Sequence, residues 1–336
     1  MKNLTIFLLV FSMVFMACET DFEVNADWKE VMIVYGLLDQ SQTQQYIKIN
    51  KAYLGEGDAL QMASVSGSVN YNPEDLEVII IKVKDAGNDT IYLDTTLIVK
   101  DDGLFATDEN IIYVTDIEDS NFFVKDKEYI LSVLNKKSGH EVSAKTHLIH
   151  GLKLTNNTLL QKMSFYDPIL HSPPFPPPPY EKKTTTVNWD HSTNGRIYQI
   201  IARIYYWDFF SDGTSSLEYL EWVQPTQLYD GSTNMEYTFD GNIFVNFISD
   251  YIPMPNNLDS RLLAYMKLRY SVGSEDLYTY MAVNEPFEGI VQERPPFTNI
   301  NDGIGLFSSR FNKLEEWTIS DATQNGISLE LSHLGF

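Results

Sequence analysis

The chain is poor in cysteine, in positive charge and in long apolar runs. Cys18 is the only cysteine in 336 residues, so no disulfide can close within the chain and packing must hold it together. Lysine and arginine number 24 against 46 acidic residues, a net charge of −22. That balance argues against nucleic acid or an anionic lipid surface as partner, since both call for clustered positive charge. No stretch approaches about 18 uninterrupted apolar residues, so no segment reads as a membrane-spanning helix. Motifs for chemistry are also missing. There is no nucleophile elbow, zinc-protease helix, phosphate-binding loop or paired-cysteine site. On this reading no catalytic residue, metal site or cofactor is expected, and the protein is not expected to be an enzyme.

What is present begins at the N-terminus. Lys2 precedes an apolar run from Leu4 to Met16, followed by Ala17-Cys18 and the acidic stretch Glu19-Thr20-Asp21. A run of 13 residues is too short to cross about 30 Å of hydrocarbon but suits a secretory signal. Phe15 stands at −3 from the Ala17–Cys18 bond, where ordinary signal peptidase wants a small residue. The layout is that of a bacterial lipoprotein precursor, with 1–17 a signal peptide, Cys18 the lipidated residue and 18–28 a tether. Two or more acyl chains on one cysteine hold stably in a bilayer, because each buried methylene contributes about 0.8 kcal/mol. The chain is therefore expected to be anchored to a membrane by lipid.

Beyond the tether the dominant period is two. Val31–Leu37, Tyr46–Lys51, Glu77–Lys84, Ile111–Thr115, Tyr129–Leu134 and Val142–Leu148 read as short strands bounded by turn residues. Many strands without intervening helices predict a β-sandwich over 29–150. The last two strands, from Tyr129, look like the closing hairpin of an immunoglobulin or fibronectin-III domain, where a tyrosine near the start of the penultimate strand is common. Residues 151–183 read as a proline-rich loop or linker, because Pro173–Pro179 lacks the N–H donors a sheet needs. A second β-rich domain follows over 184–336. It contains strands at Thr184–Trp189, Arg196–Trp207, Glu218–Val223, Glu236–Phe239 and Arg261–Val272. Short helices are expected at Asn242–Tyr251 and from a Ser274 cap to Asn284, with strand-like pieces at Gly305–Ser308 and Ile327–Leu331. The fold class is therefore mostly β, an Ig/fibronectin-III-like sandwich followed by a β-rich domain with one or two short helices.

Aromatics give the better functional lead. Tyr205, Tyr206, Trp207, Phe209 and Phe210 crowd one strand end, with Tyr219 and Trp222 following. Alternation sends neighbouring rings to opposite faces, so the run cannot all enter one core. Rings left outside suit a glycan, a peptide or a transporter surface. Trp207 and Trp222 are the contact candidates here, together with Phe175 and Tyr180 from the proline-rich segment. Asp302-Gly303 fits a turn needing positive φ, and Gly305 would let a terminal strand approach another backbone closely.

Three landmarks together resemble one lipoprotein family, the Bacteroidota-type group known as domain of unknown function 4249. They are the Phe239–Phe244 segment, the helix after Ser274 and the closing motif Thr298–Phe307. The resemblance spans nearly all of the mature chain and carries no catalytic residue. It implies a surface-exposed outer-membrane lipoprotein, a plausible partner of a TonB-dependent, SusC-like transporter in nutrient uptake. Glu19–Glu23 is similar to that lineage's surface-export signal, and Asp89-Thr90-Ile91 and Asp94-Thr95-Thr96 to its O-glycosylation pattern, at Thr90 and Thr95. The expected function is a non-enzymatic binding or accessory subunit for an unknown glycan or peptide. A structural or adhesive envelope protein and a carboxylate-dependent hydrolase are the alternatives.

Overall fold

A computed structural model describes residues 30–52, 66–98, 110–125, 127–149, 151–155, 162–169, 180–285 and 296–336. The expected signal peptide, Cys18 and its acidic neighbours lie outside the described residues, as does Phe175. The fold is mostly β.

The first half consists of β1 (Met32–Asp39), β2 (Tyr46–Lys51), β3 (Leu76–Lys82), β4 (Asp89–Tyr92), β5 (Asp94–Leu97), β6 (Ile111–Val114), β7 (Glu128–Asn135) and β8 (Glu141–His147). One sheet runs β1-β2-β6-β5 and the facing one β4-β3-β7-β8. With the strands lettered in order as A, B, C, C′, D, E, F and G, these sheets are ABED and C′CFG, the arrangement of immunoglobulin-like sandwiches. Alternation builds the core. Val34 and Ile47 from one sheet meet Ile80, Leu131 and Val133 from the other. Tyr129 is fully buried, and its hydroxyl reaches back to accept from the Val124 N–H at 2.7 Å and to donate to the Phe122 carbonyl at 3.1 Å. That backward bond is the device by which such domains fix the chain entering the penultimate strand.

The second half holds β9 (Lys162–Met163), β10 (Tyr166–Pro168), β11 (Tyr180–Lys182), β12 (Thr184–Asp190), β13 (Ile197–Phe210), β14 (Ser215–Val223), β15 (Gln227–Leu228), β16 (Asn234–Asp240), β17 (Leu258–Gly273) and β18 (Ile304–Ile319). Its helices are α1 (Gly241–Tyr251), α2 (Glu275–Asn284) and α3 (Asp321–Glu330). Strands β14, β13, β17 and β18 are consecutive neighbours, and the same sheet continues through β1 into the sandwich. The inner face of β13 packs with α1, α3 and the β12–β16 pair around Trp189, Phe239 and Phe244. Leu152, Met163, Phe165 and Tyr166 join this core too, so parts of the proline-rich region are built into the fold.

β18 ties the two halves. From Ile304 to Arg310 it pairs in parallel with β1, and from Arg310 to Thr318 it pairs antiparallel with β17. Among the described residues its first half has no strand on the other side, and Asn299 takes that place. The Asn299 amide accepts from the Phe307 N–H at 2.9 Å and donates to the Phe307 carbonyl at 2.7 Å. Asn301 forms a two-way backbone bridge to Ser143 in β8, while Ile300 and Phe307 are buried in the sandwich core. The segment Thr298–Phe307 therefore closes the sandwich from one sheet to the other.

Three expectations change. Ile327–Leu331 is not a strand, since Asp321–Glu330 is helical, with the Ser320 side chain accepting from the Thr323 N–H. Ile327 and Leu331, four apart, are both buried, and so short an apolar window satisfied either period. The strand expected at Gly305–Ser308 is the start of a 16-residue one. The left-handed backbone in the closing motif sits at Asp302 (φ 57°) and Gly305 (φ 121°), not Gly303. Asparagine and aspartate tolerate that region better than other side chains.

α3 also carries a pH-sensitive contact. Burial pushes the Glu330 carboxyl up, but hydrogen bonds from Lys182 (2.5 Å) and Tyr166 (2.6 Å) outweigh it and hold its pKa below the ordinary value. A depressed carboxyl contributes stability above its unfolded pKa, and that stability is lost as pH falls through the folded pKa. Thermal melts of Glu330→Gln should therefore lie below wild type near neutrality and converge with it under acid. Parallel melting curves at every pH would refute the linkage.

Candidate partner-binding face

The long strand β13 sorts its aromatics by parity. Tyr198, Tyr206 and the neighbouring Ile204 are buried, whereas Tyr205, Trp207 and Phe209 point to the opposite, outer face. The flanking strands extend this face in register. Tyr205 lies opposite Tyr219 on β14 and Tyr265 on β17, and Trp207 opposite Leu217. A bulge on β17 at Ala264 moves the register from Tyr205–Tyr265 to Tyr206–Leu263. Bulges add local twist. Among the described residues the face is left to solvent, with Tyr219 48%, Val223 53% and Leu314 60% exposed. An apolar surface of this continuity is of the kind that serves as an interaction site.

Cations interleave with the rings. The Arg203 guanidinium lies 5.0 Å from the Tyr219 ring centre, and Lys267 Nζ lies 5.5 Å from Tyr205 and 5.4 Å from Tyr265. Tyr205 and Tyr265 stack at 4.6 Å. These contacts place the positive charges over the ring faces. Arg203 also bonds Glu221 Oε2 at 2.8 Å, which raises the guanidinium pKa further. Where β13 and β17 approach the turn after β1, the face dips into a cavity of about 540 Å³.

The predicted contact residues separate in the structure. Trp207 stands on the outer face, 36% exposed. Trp222 does not, and this is a correction. It pairs with inward-facing Ala202 and is buried against Phe239, Phe244 and Phe247. Alternation on β14 gives the outer positions to Tyr219, Glu221 and Val223 instead. Tyr180 opens β11, and its hydroxyl accepts from Asn325 Nδ2 at 3.0 Å, away from the aromatic face. Thr90 and Thr95 are both exposed, on β4 and β5. Tyr265, Lys267 and Arg269 were missed. Their signal was available in the alternation of β17, but only the pairing with β13 brings them beside Tyr205.

A polar cleft between the halves holds Glu275 and Asp276. Glu275 pairs with Arg196 within the second half at 3.1 Å, and Asp276 accepts from Nδ2 of Asn299, in the segment that closes the sandwich, at 2.9 Å.

The fold and this face define a class, a β-rich protein with an immunoglobulin-like sandwich and an open aromatic–cationic sheet surface. Comparison with protein-family models and with curated protein sequences finds no match to this chain.

Proposed function

We propose that this chain is a surface-exposed, lipid-anchored outer-membrane protein acting as a non-enzymatic binding or accessory subunit, working with a TonB-dependent, SusC-like transporter in nutrient uptake. The observation that carries the binding role is the outer face of β14, β13 and β17, where tyrosine, tryptophan and cations stand exposed on a rigid sheet. Rigid aromatics bind at low entropic cost, and a sheet positions them more firmly than loops would. Cys18 behind its apolar leader supports the anchor, and the resemblance of Thr298–Phe307 to the lipoprotein family supports the partnership.

Cys18→Ala should abolish palmitate incorporation and release the protein from the membrane fraction. A mutant still labelled and membrane-bound would refute the anchor. Affinity purification of the wild-type chain should recover an outer-membrane transporter. Recovery of none, with uptake unchanged in a deletion strain, would refute the transport role.

A further inference from the structure

We infer that the outer sheet face is a binding track for an acidic, uronate-bearing oligosaccharide, an assignment that names the ligand class for the binding role proposed above and rests on it. The cavity at its upper end carries the charge. In a chain of net charge −22, the described residues lining this cavity include Arg203, Lys267, Arg269 and Lys313 and no carboxylate. Three of these cations have acidic neighbours outside the lining: Glu221 for Arg203, Glu316 for Lys267 at 3.6 Å, and Glu315 for Lys313 at 3.1 Å. Arg269 differs. Among the described residues its buried Nε has no hydrogen-bond partner. An anion seated in the cavity would supply the missing acceptor with charge-assisted strength.

Charge alone would suit any anion, but the rest of the lining suits a sugar. Gln42 offers an uncharged donor and acceptor for hydroxyls, Ser41 Oγ and Asn312 Nδ2 already donate to Asp39 at 2.5 and 2.8 Å, and Ile201 and Leu314 offer apolar surface for a ring's C–H face. A volume of about 540 Å³ falls within the range of ordinary small-ligand sites. The aromatic strip then continues the site along one strand. Ile201, Arg203, Tyr205, Trp207 and Phe209 all face outward on β13, and the strand from the first to the last of them spans roughly 26 Å. Such a length fits an extended oligomer better than a single small anion. The cations gather at the cavity end among Tyr205 and Tyr265, and Trp207 and Phe209 continue the strip beyond them.

The test uses the full lipidated chain in detergent and isothermal titration calorimetry with trigalacturonate, maltotriose and citrate. Trigalacturonate should bind, and bind tighter than both the neutral trisaccharide and the sugar-free polyanion. Arg269→Gln with Lys267→Gln should weaken it about tenfold or more, since paired charges are lost. Leu314→Glu, at an exposed rim position, should weaken it comparably without lowering the melting temperature, which keeps the test valid if the double variant misfolds. Equal affinity for maltotriose would overturn the charge assignment, and equal affinity for citrate the sugar assignment. Absence of trigalacturonate binding, or unchanged affinity in Leu314→Glu, would overturn the track itself. Anchoring and transporter recovery are read separately, so failure here leaves those results standing and failure there leaves this one intact.

Discussion

Replacing Arg261 by alanine should destabilise the protein by about 3–5 kcal/mol, the range seen when one partner of a buried ion pair is removed. The Arg261 side chain is fully buried and that of Asp208 is 5% exposed, with Nε to Oδ1 at 2.7 Å. The guanidinium does more than pair. Nη1 donates to the Leu334 carbonyl at 3.0 Å, Nη2 donates to the Pro253 carbonyl, and the Arg261 N–H donates to the Gly335 carbonyl at 2.7 Å. One side chain thus joins β13, β17, the chain leaving α1 and the C-terminus. Alanine would leave the Asp208 charge buried without its partner and two carbonyls without donors. Since whole domains are stable by only about 5–15 kcal/mol, the loss should be plain in urea denaturation. The double variant Asp208→Leu/Arg261→Met should recover much of it, because removing both charges removes the orphaned one. A single variant within about 1 kcal/mol of wild type would show that the pair does not hold these segments.

The neighbourhood of this pair also illustrates how far sequence reasoning reached. Alternation located β13 and β17 and correctly divided Tyr205 and Trp207 from Tyr206, because a half-buried strand writes its two faces into alternate residues. It also located α1 and α2, where Asp240 and Ser274 cap the first turns. Alternation gave no basis for excluding Trp222 from the contact set, since which parity of β14 faces inward depends on its pairing with β13. The buried ion pair was equally hidden. Asp208 and Arg261 are far apart in the chain and look like any other strand charges. β18 was cut short for a different reason. Its first half is buried beside β1 and its second half alternates over β17, so no single period runs through it. Tyr265, Lys267 and Arg269 joined the candidate face only through that same long-range pairing. Local pattern predicts elements and their faces, while sites assembled across strands depend on register.

The same dependence on register makes Gly305 the most consequential small residue. It lies in the parallel stretch of β18, opposite Val34, with φ at 121°, a conformation open to glycine and strained for any L side chain. A Cβ there would collide with the Val34 carbonyl oxygen and fall within 2.9 Å of the Val34 carbonyl carbon and 3.0 Å of its nitrogen. Backbone atoms of a buried strand cannot swing aside as a flexible side chain can, so β18 would have to leave β1. Backbone strain of about 1–3 kcal/mol adds to an overpacking cost of similar size, so Gly305→Ala should lose about 3 kcal/mol or more. The loss should be specific in character. The β17–β18 pairing begins at Arg310, beyond the lesion, so the core around Trp189 and Phe244 should outlast the sandwich. Phe307 would be withdrawn from the sandwich core and its bonds to Asn299 broken. Hydrogen exchange should then show lost protection in β1 and β2 while β13 and β17 keep theirs. Uniform loss across both halves would mean that the two cores unfold as one, and unchanged protection in β1 would mean that the parallel junction tolerates a side chain.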